Sequence, residues 1–236
     1  MKKRVINLII IVISLIIAFL IISPFALSPF EEPSNKFFKV DYKTGGKEKV
    51  ILISWAGCPI GASLSWPLYF VLNQSGNASY YYWHSAPDDV YPDTPGLIFT
   101  NYTSRTINAT FIYLYNETLK GSFHNGTFSG SLTSFGLEEL KSDLPPAYYE
   151  MAKKYTTEEW ISSGYFQTSS DRVSPHHINT IIIISGKSGT YVLNGDLYSP
   201  ALLGGTSDSY LLKNGNNISY IKNAEDKINK YISEAA

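Results

Sequence analysis

Apolar positions along this chain fall into three kinds of run, and each kind predicts a different element. The longest extends from Val5 to Ser23 and is broken only by Asn7 and Ser14. At 1.5 Å per helical residue it approaches the roughly 30 Å hydrocarbon thickness of a bilayer. The second kind is short and continuous. Val50 to Trp55 reads as a buried strand, as do the runs in "GLIFTNYT", "INATFIYLYNET" and "GSFHNGTFSGSLTSF". Near the C-terminus "NTIIIISGKSGTYVLNG" gives two strands joined across Gly186-Lys187-Ser188-Gly189. The aromatic stretch "SYYYWHS" (79–85) also suits a strand. The third kind recurs at helical spacing. Leu64, Leu68, Val71 and Leu72 follow Pro59 in this way, with Pro67 expected to kink or shift the helix. "GLEELKSDL" and "PPAYYEMAKKY" are helix-like, Thr156 with Glu159 forms a candidate capping box, and Ile218 to Ile232 reads as a closing amphipathic helix.

These elements divide the chain. Residues 1–4 form a cytoplasmic tip, 5–23 a transmembrane anchor, and 24–46 a spacer punctuated by Pro24, Pro29, Pro33 and Gly45-Gly46. The body, 47–236, runs strand, cysteine turn, helix, strand, insertion (about 97–170), hairpin, helix, an α/β order.

Charge sets the orientation. Lys2, Lys3 and Arg4 precede the apolar run and hold that end in the cytoplasm, which puts everything after Phe25 outside. A cleaved signal peptide is the competing expectation, but the run is longer than a usual h-region. Either way the body is exported. Seven N-x-[ST] acceptors, at Asn73, Asn77, Asn101, Asn108, Asn116, Asn125 and Asn217, point the same way. Chance would give about three such sites in this composition. A glycan must project into solvent, so these positions are expected on the surface. The net charge is −1 and no basic cluster follows residue 4, so nucleic acid is not an expected partner.

The single cysteine, Cys58, follows the strand run and precedes Pro59, a favoured first helical residue. At a helix N-terminus the unpaired backbone N–H groups and the helix dipole stabilise thiolate. A dithiol oxidoreductase also needs a second thiol to release its mixed disulfide, and this chain has none. Cys58 is therefore either a lone nucleophile or a small buried hydrophobe at a tight turn. "WAGCPIGASLSW" and "SAPDDVYPDTPGLIFTNYTS" resemble an archaeal family, the domain of unknown function 929, of the thioredoxin-like superfamily. That family's turn reads C-P-aromatic-C-A with a tryptophan shortly after. Cys58, Pro59, Ala62 and Trp66 match it, Ile60 replaces the aromatic residue, and Gly61 stands where the second cysteine would be. The resemblance implies a thioredoxin-like fold, with Cys58 as the nucleophile position and Trp55, Pro59, Gly61 and Trp66 shaping its surroundings. It also implies a cis-proline facing the cysteine, with Pro175 the first candidate and Pro95 the second. It implies no settled reaction.

Three further sets of side chains bear on chemistry. His176 and His177 are adjacent, so on a strand they point to opposite faces and suit a solvent or loop role better than a metal. Asp88, Asp89 and Asp93 lack EF-hand spacing and read as turn chemistry. His84 is a candidate neighbour of Cys58. No cofactor, nucleotide or hydrolase motif occurs. The expected partners are the membrane, through the N-terminal helix, and an envelope protein or thiol partner. The functions left open are a redox-dead partner-binding module, a single-cysteine thiol-disulfide oxidoreductase or isomerase, and a structural cell-surface glycoprotein.

Overall fold

Val50 to Ile53 can be apolar at every position because both faces of the strand they form are covered. In the computed structural model, which describes residues 7, 10–19, 31–32, 35–124, 126–128, 130–161 and 167–236, that strand is β3 (Glu48–Ser54). Two short strands precede it, β1 (Glu31–Glu32) and β2 (Phe37–Val40). Helix α1 (Pro59–Asn73) follows, then β4 (Gly76–His84), β5 (Pro95–Ser104) and β6 (Ile107–Tyr113). Next come α2 (Leu132–Asp143), α3 (Pro146–Lys153) and β7 (Trp160–Ile161). The chain closes with β8 (Ile181–Ser185), β9 (Thr190–Asn194), α4 (Asp208–Asn214) and α5 (Ser219–Ala235).

Among the described residues the central sheet has five strands in the order β2-β9-β8-β3-β6. β6 lies parallel to β3, while β8 is antiparallel to β3, β9 to β8 and β2 to β9. Alternate residues of β3 feed two cores. Val50 and Leu52 join Ile182, Ile184 and Leu193 under α1 and α5, and Ile51 and Ile53 join Ile181, Ile183 and Val192 under α2 and α3. The result is a mixed α/β domain with helices on both faces of the sheet.

Several elements differ from the patterning. The aromatic strand β4 does not enter the central sheet. It pairs with β5 in a separate hairpin that packs on α1, and the parallel partner of β3 is β6, inside the stretch 97–170 expected as an insertion. Among the described residues of the segment 121–135 there is no strand beyond the isolated bridge between Tyr115 and Ser122, and its last residues open α2. The spacer expected over 24–46 contains β2, whose Phe37, Phe38 and Val40 are core residues while Lys39 faces out. The Thr156–Glu159 capping box is absent. Thr156 sits in a π-helical turn, Lys154–Glu158, and its hydroxyl donates to the Ala152 carbonyl.

Pro67 lies inside α1, which continues through it. A proline there cannot donate to the carbonyl four residues earlier. That carbonyl, on Ser63, instead accepts from the Tyr198 hydroxyl at 2.6 Å. The helix keeps its length because a remote side chain replaces the missing donor.

Of the expected anchor 5–23, residues 10–19 are described and helical, with Ile10, Leu15 and Phe19 exposed. The remainder, apart from Asn7, lies outside the described residues. Among the described residues no helix is long and apolar enough to cross a membrane.

Candidate functional site

β3 ends at Ser54, and the next four residues turn the chain into α1. Cys58 is the N-cap, with extended backbone, and Pro59 takes the first helical position. The Gly61 amide donates to the Cys58 sulfur at 3.4 Å, so the thiol does the work usually left to a serine or aspartate oxygen. Across from it stands Thr180, the residue before β8. Its hydroxyl lies 3.0 Å from the sulfur and 2.8 Å from the Ser54 hydroxyl, making a buried chain Cys58–Thr180–Ser54.

The sulfur is nearly closed off, with Cys58 3% exposed. Burial pushes its thiol up, and the hydrogen bonds from Thr180 and Gly61, which favour thiolate, do not overcome it. The negative charge of Asp89 acts in the same direction as burial. The helix N-terminus is thus present, but desolvation outweighs it.

Gly61 packs under the turn. A Cβ built on it would lie 2.1 Å from the Ser54 hydroxyl oxygen, 3.1 Å from the Ser54 Cβ and 3.4 Å from the Thr180 hydroxyl oxygen. The position where the family pattern has its second cysteine is occupied from the sheet side.

A cavity of about 600 Å³ opens beside the turn, and Trp55, Cys58, Pro59 and Ile60 form part of its wall. The loop between β4 and β5 contributes Asp89, Val90 and Tyr91, and the segment before β8 contributes Ser169, Arg172, Ser174 and His177. Asp196 and Asn194 close it from the end of β9. His177 stands in the loop before β8, as the loop reading expected, but it is buried rather than solvent-facing. Its Nδ1–H donates to the Pro175 carbonyl at 2.6 Å, and burial pulls the ring below its ordinary value, which keeps it neutral. The Ser174–Pro175 peptide bond is cis. Pro175 itself is exposed, whereas the side chain bonded to the sulfur is Thr180. Pro95 opens β5 and accepts from the Trp66 indole at 2.8 Å. Trp66 is fully buried under the hairpin and stands apart from the cavity wall. Sequence reasoning singled out His177 only to give it a solvent or loop role, and it missed Thr180, Ser169 and Asp196. Nothing local distinguishes them, since each matters only through contacts with the turn or cavity built more than a hundred residues earlier in the chain.

His84, expected near Cys58, has other partners. Its Nδ1 lies 2.7 Å from Asp93 and its Nε2 3.2 Å from Asp208, tying the β4–β5 loop to the start of α4. Both ring nitrogens face carboxylates, which requires the imidazolium. Partial burial opposes that charge, and the two aspartates together outweigh it, so the ring titrates above its ordinary value. A raised folded-state value means the stabilisation is complete below about pH 6.5 and is lost as pH rises through that higher value. The side chain is 40% exposed, so the contribution is at most about 1 kcal/mol. The melting-temperature gap between wild type and His84→Gln should be largest in mild acid and close toward alkaline pH. A gap that widens with pH would overturn the assignment.

The acceptors Asn73, Asn77, Asn101, Asn108 and Asn217 are exposed. Asn116 is half-buried, its side-chain oxygen accepting from the Thr118 and Lys120 amides, and Asn125 lies outside the described residues.

Fold and site together define a mixed α/β domain with a cysteine-capped helix at the edge of a cavity. The chain belongs to the family described as Domain of unknown function (DUF929), which it matches over residues 34–234. Comparison with curated proteins and with solved structures returns no match.

Proposed function

We propose that this chain is a membrane-tethered, extracytoplasmic thioredoxin-like domain of archaeal type that has lost dithiol chemistry and binds a partner through the cavity beside Cys58. The strand order supports the fold. A strand leads into a cysteine turn and helix, a parallel strand follows, and an antiparallel hairpin and final helix complete the domain. The apolar N-terminal run and the exposed sequons support export and glycosylation. One observation carries the loss of redox chemistry. Cys58 is a buried N-cap bonded to Thr180, and the position of a resolving thiol is a glycine pressed against Ser54.

Alkylation of Cys58 with iodoacetamide across pH tests this. The expected outcome is labelling far slower than that of a free thiol, with a midpoint above about 8.5, the ordinary cysteine value. Fast labelling with a midpoint near neutrality would overturn the proposal and favour a single-cysteine isomerase.

A further inference from the structure

The two faces of the β4–β5 hairpin differ in what they carry. Ala78 and Tyr80 of β4 and Tyr102 of β5 turn toward α1, where the Tyr102 hydroxyl donates to the Leu72 carbonyl at 3.0 Å. Side chains alternate along a strand, so Asn77, Ser79, Tyr81 and Trp83 share the opposite, outer face. Asn101 pairs with Ser79 and Thr103 with Asn77, which adds both to that face. Tyr81 is 41% exposed there, and its ring meets that of Trp83 at 6.0 Å and 85°. The two rings form a corner, and Phe123 and Glu117 help close an open cleft of about 430 Å³ around it. The Glu117 carboxylate is half-buried and makes no hydrogen bond or ion pair among the described residues.

The chemistry of this face and the acceptors beside it point to a sugar. An exposed aromatic face is the negative side of the ring quadrupole, which suits the weakly positive C–H groups of a pyranose ring. The hydroxyls of the same sugar can donate to a carboxylate, which only accepts. Three N-x-[ST] asparagines share or border the patch, and their settings differ. Asn116 stands in the cleft wall, but it is half-buried and its side-chain oxygen already accepts from the Thr118 and Lys120 amides. Asn77 is exposed but lies two pleats away from Tyr81 along β4. Asn101 is exposed and diagonal to Tyr81, and such neighbours in a regular pair are about 7–8 Å apart. Its sequon partner Thr103 is exposed on the same face.

We propose that Asn101 carries an N-linked glycan whose first sugars lie against Tyr81 and Trp83, with a sugar hydroxyl donating to Glu117. Attachment joins the Asn101 side-chain nitrogen to C1 of the first sugar. The nitrogen loses a proton, and the bond from C1 to the phosphate of a lipid-linked oligosaccharide donor breaks, the phosphate leaving with the electron pair. Docked in this way, the glycan covers an exposed aromatic patch of the kind that otherwise invites association. The inference rests on the reading of the domain as exported and glycosylated, and it names the asparagine and the surface the sugar occupies.

The test uses the full chain, purified in detergent from cells that N-glycosylate their exported proteins. Glycopeptide mass spectrometry should find Asn101 occupied. Nitration by tetranitromethane then reports on the rings, with Tyr82 as the internal reference, because it is 44% exposed on the other face of the same strand. Tyr81 should nitrate about fivefold more slowly in the glycosylated chain than in Asn101→Gln, the factor that one aromatic contact supports. Thr103→Val, which removes the sequon while keeping Asn101 and a β-branched strand residue, should match Asn101→Gln. Tyr82 should react equally in all three, and Asn77→Gln should leave Tyr81 protected. Glu117→Ala should lower the protection with the glycan still attached, which separates docking from mere crowding. An unoccupied Asn101 beside other occupied sequons, equal Tyr81 rates with and without its glycan, an equal slowing of Tyr82, loss of protection in Asn77→Gln, or protection unchanged by Glu117→Ala would each overturn the inference. A chain with no glycan at any sequon would overturn the glycosylation reading as well, while slow alkylation of Cys58 stands or falls independently of both.

Discussion

Gly61→Ala should destabilise the protein by about 1–3 kcal/mol, although the same change in an ordinary helix interior stabilises by about 1 kcal/mol. Gly61 is the third residue of α1 with no special backbone conformation, so propensity alone favours alanine. Packing reverses the sign. The new methyl would meet the Ser54 hydroxyl oxygen at 2.1 Å. That oxygen can rotate away only by breaking its bond to Thr180, and Thr180 is also the partner of the Cys58 sulfur. Overpacking of this kind costs about 1–3 kcal/mol, and the lost buried hydrogen bond adds roughly 1 more, together exceeding the propensity gain. Ser54→Ala in the same chain removes the obstructing oxygen and leaves contacts of 3.1 Å to the residue-54 Cβ and 3.4 Å to the Thr180 hydroxyl oxygen, so the double variant should be more stable than Gly61→Ala alone. Chemical denaturation of the two single variants and the double variant checks this as a cycle. A Gly61→Ala variant as stable as wild type would show that Ser54 does not guard the position. The same geometry bears on function, because Gly61→Cys inherits the clash and cannot rebuild a dithiol turn without a change at Ser54.

How far this site was legible follows from the range over which each contact acts. Cys58-Pro59 at the end of an apolar run announces a helix start locally, and the structure has Cys58 as the N-cap. The consequence of Gly61 was legible as the lack of a second thiol, but its packing was not, because Ser54 and Thr180 meet only when β8 pairs with β3. The balance at the sulfur misled for the same reason. Helix amides can be read from sequence, whereas the burial that outweighs them depends on the whole cavity wall. Within the fold, the continuous isoleucine run of β8 and the glycine-flanked turn to β9 speak for themselves. β2 does not, since four residues between proline- and glycine-rich flanks look like a spacer until β9 offers them a partner. The choice between β4 and β6 as the strand beside β3 is likewise a pairing decision, and patterning marks both only as strands.

Trp66→Ala should cost about 3–5 kcal/mol, a large part of the roughly 5–15 kcal/mol that holds a domain folded. Trp66 has no exposed surface and sits in the core between α1 and the β4–β5 hairpin. Its indole N–H donates to the buried Pro95 carbonyl, and the neighbouring Ser65 hydroxyl accepts from the Leu97 amide at 2.8 Å. One helix face therefore secures the first residues of β5 by packing and by hydrogen bonds together. Gly96 completes the seam, since a Cβ there would lie 2.6 Å from the Ala62 backbone. Trp66→Phe separates the contributions. It keeps most of the ring but strands a buried carbonyl, at a cost of about 1–3 kcal/mol. The consequence extends to the cavity through the loop between β4 and β5, which carries Asp89, Val90 and Tyr91 and is joined to the cysteine turn by the Ala86 amide donating to the Gly57 carbonyl at 3.0 Å. Loosening β5 should therefore raise amide exchange in residues 85–97 and quicken alkylation of Cys58 in Trp66→Phe, while the buried strands β8 and β9 keep their protection. If exchange rises uniformly across the domain instead, Trp66 acts only on global stability, and the hairpin does not hold the wall of the cavity in place.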